Sequence, residues 1–314
     1  MRDDLQLLDR LQLNFDSGGL FVLNLVLAFV MFGVALEIKP KHFKDVFLNP
    51  KSAIAGFASQ FFLLPFITFI LTIIFIDYIT VGVALGMIMV ASCPGGNISN
   101  FISHLAKGNT ALSVSLTGLS SVGAIFLTPA NFSFYGNLFI QYSEKTTELV
   151  RPISIDPIQM FTTVFIILGI PLILGIQFSK FLPNITKRII FPFKIFSIIA
   201  FVGFIIIAFS NNFEHFVNHV KWVTIIVFMH NAFALTSGYL FAKILKISHI
   251  NRRTIAIETG IQNSGLALVS IFNPKIFPAD LEIGAMAYIA AWWGIWHIVS
   301  GLAIAAHWRR RPLQ

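Results

Sequence analysis

Two short polar segments interrupt apolar stretches of this 314-residue chain, and both carry groups that bind cations. The first, CPGGNISN at residues 93–100, combines a proline and two glycines with amide and hydroxyl side chains. The second, ETGIQNSG at residues 258–265, begins with the only Asp or Glu, of fourteen in the chain, that lies well inside an apolar stretch. Because an ionisable side chain is costly at that depth without a partner, Glu258 marks a candidate functional site.

The residue types in these segments indicate ion binding. Where a membrane helix unwinds, backbone carbonyls and amides lose their helical partners and become available to ligands. Carbonyl, amide and hydroxyl oxygens suit a hard cation such as sodium, whereas freed amides and helix N-termini favour anions. Pro94 removes one helical hydrogen bond, and Gly95 and Gly96 allow unusual dihedral angles. Neighbouring apolar stretches contribute further oxygens, at Gln60, Ser113, Ser115 and Thr117.

The composition requires these segments to lie in a membrane. Hydrophobic residues make up 56% of the chain and charged residues only 11%, against roughly a quarter in soluble domains. In such a protein a net charge of +8 reflects the bias of its loops, so we expect no nucleic-acid partner. The single cysteine, Cys93, excludes an intrachain disulfide. The polar, acidic first residues predict no cleavable signal peptide.

Nine apolar stretches are long enough to span a bilayer, which takes about 20 residues. They are residues 19–36, 52–76, 81–105, 110–128, 158–178, 189–209, 222–245, 254–272 and 283–307. The chain is therefore predicted to be an all-α polytopic membrane protein with nine transmembrane helices.

Lysine and arginine are distributed unevenly between the two sides of this arrangement. Six lie on the side of the N-terminus and fifteen on the opposite side, while Lys194 falls inside a span. The positive-inside rule then predicts an outside N-terminus and a cytoplasmic C-terminus, in an inner (cytoplasmic) membrane. An odd number of spans agrees with this strong bias.

The two interruptions fall in the third and eighth spans, which run in opposite directions. Broken antiparallel helices in corresponding places of two halves are typical of inverted-repeat transporters. Residues 1–130 would form the first repeat with four spans, 131–157 a connecting loop, and 158–314 the second repeat with five. The first repeat would thus lack its first helix.

Four motifs resemble the bile acid:sodium symporter family: MFGVALEIKPKHF, CPGGNISN, KGNTALSVSLT and ETGIQNSGLAL. The resemblance covers nearly the whole chain. It implies a panel domain of spans 1, 5 and 6 and a core domain of spans 2–4 and 7–9, in which the two discontinuous helices cross. It also implies two sodium sites beside the crossing.

The resemblance assigns roles to individual residues. The first sodium site would comprise Ser99, Asn100, Ser113, Thr117 and Glu258. The second would comprise Gln60, Glu258 and Gln262, with the backbone carbonyls of Thr259 and Ile261. Substrate contacts would come from Gly95, Gly96, Asn97, Asn263 and His297. Two sodium ions would serve as coupling ions, with no other cofactor.

These features predict a sodium-coupled symporter that imports an organic anion, either bile acid-like or a small carboxylate such as pantoate or a 2-keto acid. The alternative is a proton-coupled transporter of the same fold, with Glu258 as the proton carrier. An intramembrane enzyme would need a nucleophile–base pair, two facing aspartates or a metal motif such as HExxH, and the spans contain none. A receptor or structural protein would not require a buried glutamate between two inverted breaks.

Overall fold

The computed structural model of the protein describes residues 1–10, 17–38, 50–146, 155–210, 213–273, 275–277, 281 and 284–310. Within these ranges all regular secondary structure is helical, apart from one isolated pair of bridged residues. The all-α prediction is therefore confirmed for the described part of the chain.

Twelve helices follow one another along these ranges. They are α1 (Arg2–Asp9), α2 (Ser17–Glu37), α3 (Pro50–Ile74), α4 (Val81–Ser92), α5 (Ile98–Leu105), α6 (Thr110–Thr146), α7 (Pro157–Phe181), α8 (Pro183–Ser210), α9 (Phe213–Ile244), α10 (His249–Gly260), α11 (Ser264–Ile271) and α12 (Gly284–Arg309). Two of them contain a π-helical turn, at Ser59–Leu63 in α3 and at Phe165–Gly169 in α7.

Five of the described helices are long and apolar enough to cross a membrane: α3, α6, α7, α9 and α12. Two apolar helical stretches are shorter, Asn24–Leu36 within α2 and Val81–Ser92, which is α4. A helix of 12 residues extends only about 18 Å, so α4 needs the segments that follow it to reach across a bilayer. The chain is a membrane protein, and the count of nine spans stays a prediction.

The helix α6 is longer than the sequence indicates. It continues through Pro129 to Thr146, so the loop predicted to begin at residue 131 is helical over its first sixteen residues. Phe132, Phe139 and Ile140 face the core with almost no exposure, and their spacing places them on one side of the helix. Polar residues between them lowered the hydropathy and concealed the helix. Residues 147–154 of the predicted loop lie outside the described residues.

The helices pack in two groups. The helix α2 lies against α7 and α8, where Phe32 contacts Phe178 and Phe29 contacts Phe193 with ring centroids 5.7 and 5.8 Å apart. The helices α3, α6, α9 and α12 surround two shorter helix pairs, α4 with α5 and α10 with α11. The candidate site lies where those two pairs meet.

Candidate functional site

Each polar interruption is a non-helical segment between two short helices, and the two segments pair with each other. Gly95 and Gln262 form an antiparallel bridge. The Gly96 amide donates to the Ile261 carbonyl and the Asn263 amide donates to the Pro94 carbonyl, each at 2.8 Å. Pairing the segments satisfies backbone groups that the breaks release, which is essential where water is excluded.

The glycines of the first segment are required for space. No described glycine has a positive φ, so Gly95 and Gly96 do not use the left-handed conformation that glycine allows. A Cβ at Gly95 would lie 2.8 Å from Gln60 Nε2 and 3.0 Å from Glu258 Oε2. A Cβ at Gly96 would lie 3.1 Å from the carbonyl oxygen of Gln262. The missing side chains let the two breaks approach closely.

Glu258, near the end of α10, is fully buried and is surrounded by hydroxyl groups. Ser99 donates to Oε1 at 2.6 Å, Ser113 donates to the same oxygen, and Thr117 lies 3.3 Å from Oε2. The Thr117 hydroxyl is also 3.2 Å from Asn100 Oδ1. The structure thus brings together all five residues predicted for the first sodium site. Among the described residues no basic side chain forms an ion pair with Glu258.

The residues predicted for the second sodium site lie beside the first. Gln60 Nε2 is 3.5 Å from the Glu258 carbonyl oxygen, and Gln262 Nε2 donates to the Thr259 carbonyl at 2.8 Å. The Oε1 atoms of Gln60 and Gln262 are both buried, and neither has a hydrogen-bond partner among the described residues. Such orphaned acceptors are rare in native interiors and require an explanation. A bound cation would supply the missing partner.

The predicted substrate residues are more dispersed. Asn97 lines a small cleft against α2, and the other lining residues are Val34, Ile38, Asn100, Val114, Thr117 and Gly118. Asn263 caps α11 by accepting from the Leu266 amide at 3.0 Å, and its Nδ2 is 3.8 Å from Met31 Sδ. His297 is buried in α12, with Nδ1 unpartnered. Neither Asn263 nor His297 lines the cleft.

Two structural contributors to the site are absent from the sequence-based prediction. The π-helical turn of α3 carries Ser59, whose hydroxyl lies 2.8 Å from that of Thr259, as well as Gln60. Asn231 of α9 donates to the Gly260 carbonyl at 2.7 Å. The sequence signal for the π-helical turn was Pro65, which follows it. The signal for Asn231 was its own position, as an amide in the middle of a predicted span.

The atoms available as metal ligands where the two breaks pair are oxygens of hydroxyl, amide, carboxylate and carbonyl groups. In the part of the chain that the structure describes, no group of three or more His, Cys, Asp or Glu side chains is placed to hold a metal ion. A set of oxygen ligands with one carboxylate suits a hard monovalent or divalent cation.

Comparison with known proteins adds a family and several relatives. A family model described as "Sodium Bile acid symporter family" matches residues 24–219. The "Uncharacterized sodium-dependent transporter YocS" of Bacillus subtilis (strain 168) is 28% identical over 304 residues, which cover 95% of this chain and 88% of that protein.

Two eukaryotic relatives match over similar lengths of this chain. The "Probable sodium/metabolite cotransporter BASS1, chloroplastic" of Oryza sativa subsp. japonica is 29% identical over 287 residues, which cover 91% of this chain and 65% of that protein. The human "Ileal sodium/bile acid cotransporter" is 26% identical over 288 residues, which cover 88% of this chain and 78% of that protein.

Proposed function

The chain belongs to the sodium bile acid symporter family, whose members are sodium-dependent transporters and not enzymes, and from this premise we propose a mechanism. We propose that the protein imports an organic anion together with sodium by alternating access. The observation that carries the proposal is the buried Glu258 carboxylate, which accepts from two serine hydroxyls and lies beside that of Thr117 where two broken helices cross.

The first sodium ion would bind Ser99, Asn100, Ser113, Thr117 and Glu258. A carboxylate that accepts hydrogen bonds from hydroxyl groups is stabilised in its ionised form. Each hydroxyl that donates its hydrogen to Glu258 keeps oxygen lone pairs for a cation. The same side chains can therefore stabilise the negative charge and bind the ion that neutralises it.

The second sodium ion would bind Gln60, Gln262 and Glu258, with the carbonyls of Thr259 and Ile261. The unpartnered Oε1 atoms of Gln60 and Gln262 support this assignment, because sodium binding would satisfy both. In the present arrangement the two backbone carbonyls accept from Gln262 Nε2 and from the Gly96 amide. A carbonyl oxygen has two lone pairs, so these bonds leave room for an ion.

Two sodium ions and one carboxylate leave an excess positive charge, which favours an anionic substrate nearby. We propose that Gly95, Gly96 and Asn97 of the first break bind it, with Asn263 and His297 contributing. The cleft between α2 and the first break supports the role of Asn97. The substrate would be bile acid-like or a small carboxylate such as pantoate or a 2-keto acid.

Transport would follow from motion of the two helix groups. The group of α2, α7 and α8 would form the panel, and the remaining helices around the crossing would form the core, as in a nine-span inverted repeat. Moving one against the other would expose the cleft to each side of an inner (cytoplasmic) membrane in turn.

Proton coupling through Glu258 is the alternative mechanism. Ser99 and Ser113 both donate to Oε1 of Glu258, whereas Thr117 donates to the Ser113 carbonyl at 3.0 Å and could accept a proton carried at Oε2. The unpartnered oxygens of Gln60 and Gln262 favour a cation other than the proton, because a proton on Glu258 would leave both without a partner.

Sodium-dependent stability of Glu258→Gln tests the proposal. For the wild-type protein in detergent, we expect the melting temperature to rise when choline chloride is replaced by sodium chloride at constant ionic strength, because sodium binds the folded state. Glu258→Gln should abolish this rise. Asp77→Asn, which removes the same charge from an exposed turn, is the control and should keep it.

A transport assay separates the two coupling mechanisms. Uptake of labelled taurocholate and labelled pantoate into proteoliposomes is measured in two conditions. One imposes an inward sodium gradient at equal pH, and the other imposes an inward proton gradient without sodium. Uptake driven by sodium and lost in Glu258→Gln is the expected result. Sodium-driven uptake that survives in that variant contradicts the role of Glu258, and uptake driven by protons alone contradicts sodium coupling.

A further inference from the structure

Asn231, a fully buried amide of α9, connects the second break to α12. Its Nδ2 donates to the Gly260 carbonyl at 2.7 Å, and its Oδ1 accepts from the Ser300 hydroxyl at 2.5 Å. We infer that Asn231 and Ser300 are positioning residues, which orient the carbonyl ligands of the second sodium ion without touching it. The inference rests on the proposed function.

The break in the helix explains why Asn231 is needed. In a continuous helix the carbonyls of Thr259 and Gly260 would accept from the amides of Asn263 and Ser264. Here the Asn263 amide donates to Pro94, and the Ser264 amide lies 3.0 Å from the Gln262 carbonyl oxygen. Gln262 Nε2 serves the Thr259 carbonyl instead. The Gly260 carbonyl receives its donor from Asn231, on another helix.

The Asn231 bond fixes more than one carbonyl. The Gly260 carbonyl and the Ile261 amide belong to one rigid, planar peptide unit. The Ile261 amide donates to the Ile257 carbonyl at 2.9 Å, so this unit is held on both sides. The carbonyls of Thr259 and Ile261 belong to the two adjoining units. Their directions depend on the unit that Asn231 holds, and they are the two carbonyls proposed to bind sodium.

The face of α9 that carries Asn231 packs closely against the end of α10. Leu235 and Gly238 follow at spacings of four and seven residues, which places all three on one side of the helix. A Cβ at Gly238 would lie 2.7 Å from Thr259 Oγ1, and one at Gly260 would overlap the Leu235 side chain. With so little free space, the break has few alternative positions while the Asn231 bond is intact.

Sodium affinity in Asn231 and Ser300 variants tests the inference. The dissociation constant for sodium is obtained from the melting temperature of the purified full chain as sodium chloride replaces choline chloride. We expect Asn231→Ala to raise it by about tenfold, which corresponds to about 1.4 kcal/mol. Ser300→Ala, which leaves the amide in place without its partner, should raise it by roughly threefold, and Ser300→Thr should restore the wild-type value.

Ser237→Ala is the matched control, because that hydroxyl donates to the Ala234 carbonyl of its own helix at 3.0 Å. Its sodium dissociation constant should equal that of the wild type. If Asn231→Ala lowers the melting temperature in choline chloride and leaves the sodium dissociation constant unchanged, Asn231 has only a structural role and the inference is wrong. If Asn231→Ala does not fold, the pair Ser300→Ala and Ser300→Thr decides the question. A wild-type protein without any sodium response would contradict the proposed function instead.

Discussion

Gln60 and Gln262 both bury their Oε1 atoms where the two breaks pair, but the hydrogen bonds of their Nε2 atoms differ. The Nε2 atom of Gln262 makes a 2.8 Å bond to the Thr259 carbonyl, whereas that of Gln60 is 3.5 Å from the Glu258 carbonyl oxygen. At that distance the Gln60 contact contributes little. An unsatisfied buried acceptor costs on the order of 1–3 kcal/mol. Without a bound ion, the Gln60 amide group therefore destabilises the folded state relative to an apolar side chain of similar size.

Gln60→Leu should separate stability from sodium binding. In choline chloride we expect the melting temperature to stay unchanged or rise, because an apolar side chain removes the unsatisfied oxygen. The sodium dissociation constant, measured from the same melting curves, should increase at least about tenfold, since one ligand is lost. Gln262→Leu should instead lower the melting temperature as well as the sodium affinity, because Gln262 also donates to the Thr259 carbonyl.

Gln159→Leu, the same exchange at an exposed residue of α7, is the control and should alter neither quantity strongly. If Gln60→Leu lowers stability in choline chloride and binds sodium as the wild type does, Gln60 is a packing residue and the second ion site is misassigned.

The π-helical turn of α3 is the element that directs Ser59 and Gln60 towards the second break. In an α-helix the Phe61 carbonyl would accept from the amide of residue 65, but this residue is Pro65, which has none. Asn131 Nδ2, from the part of α6 beyond Pro129, donates to the Phe61 carbonyl at 2.7 Å. A side chain of another helix therefore supplies the donor that proline removes.

A double-mutant cycle tests this compensation. Asn131→Ala in the wild-type background should cost about 1–2 kcal/mol, because it leaves a buried carbonyl without its donor. In a Pro65→Ala background residue 65 regains an amide, so the cost of Asn131→Ala should fall clearly. Melting temperatures of the four proteins in choline chloride give the coupling energy. Additive effects of the two substitutions would show that Asn131 does not replace the missing donor.

The same element shows where prediction from sequence succeeds and where it ends. The polar composition of CPGGNISN and ETGIQNSG identified both breaks, since apolar helices rarely contain such residues. The π-helical turn adds one residue to a helical turn and leaves the hydropathy unchanged. Pro65 marks its position in the sequence but does not determine how the side chains of Ser59 and Gln60 are oriented. The continuation of α6 to Thr146 depends on packing of Phe132 and Phe139, which hydropathy alone does not reveal.

At the scale of the whole molecule, orientation in the membrane depends on charge and on the number of crossings together. The predicted excess of Lys and Arg on one side is largest if each broken pair, α4 with α5 and α10 with α11, crosses the membrane once. If either pair returned to its starting side, the later loops would exchange sides and the distribution would weaken from fifteen against six to thirteen against eight. With these crossings, the prediction places Asp77, between α3 and α4, outside and Ser248, between α9 and α10, on the cytoplasmic side.

Cysteine labelling of these two positions tests the orientation and the number of crossings between them, which includes the pair of α4 with α5. The only native cysteine, Cys93, is fully buried, so the wild-type chain gives a low background. Asp77 and Ser248 are both exposed, and the Ser248 side chain makes no capping bond to α10. In intact cells a membrane-impermeant maleimide should label Asp77→Cys and leave Ser248→Cys unlabelled. After permeabilisation both variants should react. Five predicted crossings separate Asp77 from Ser248, which is an odd number. Labelling of both variants from outside would contradict that number. Labelling of Ser248→Cys alone would show that the orientation is the reverse of the predicted one.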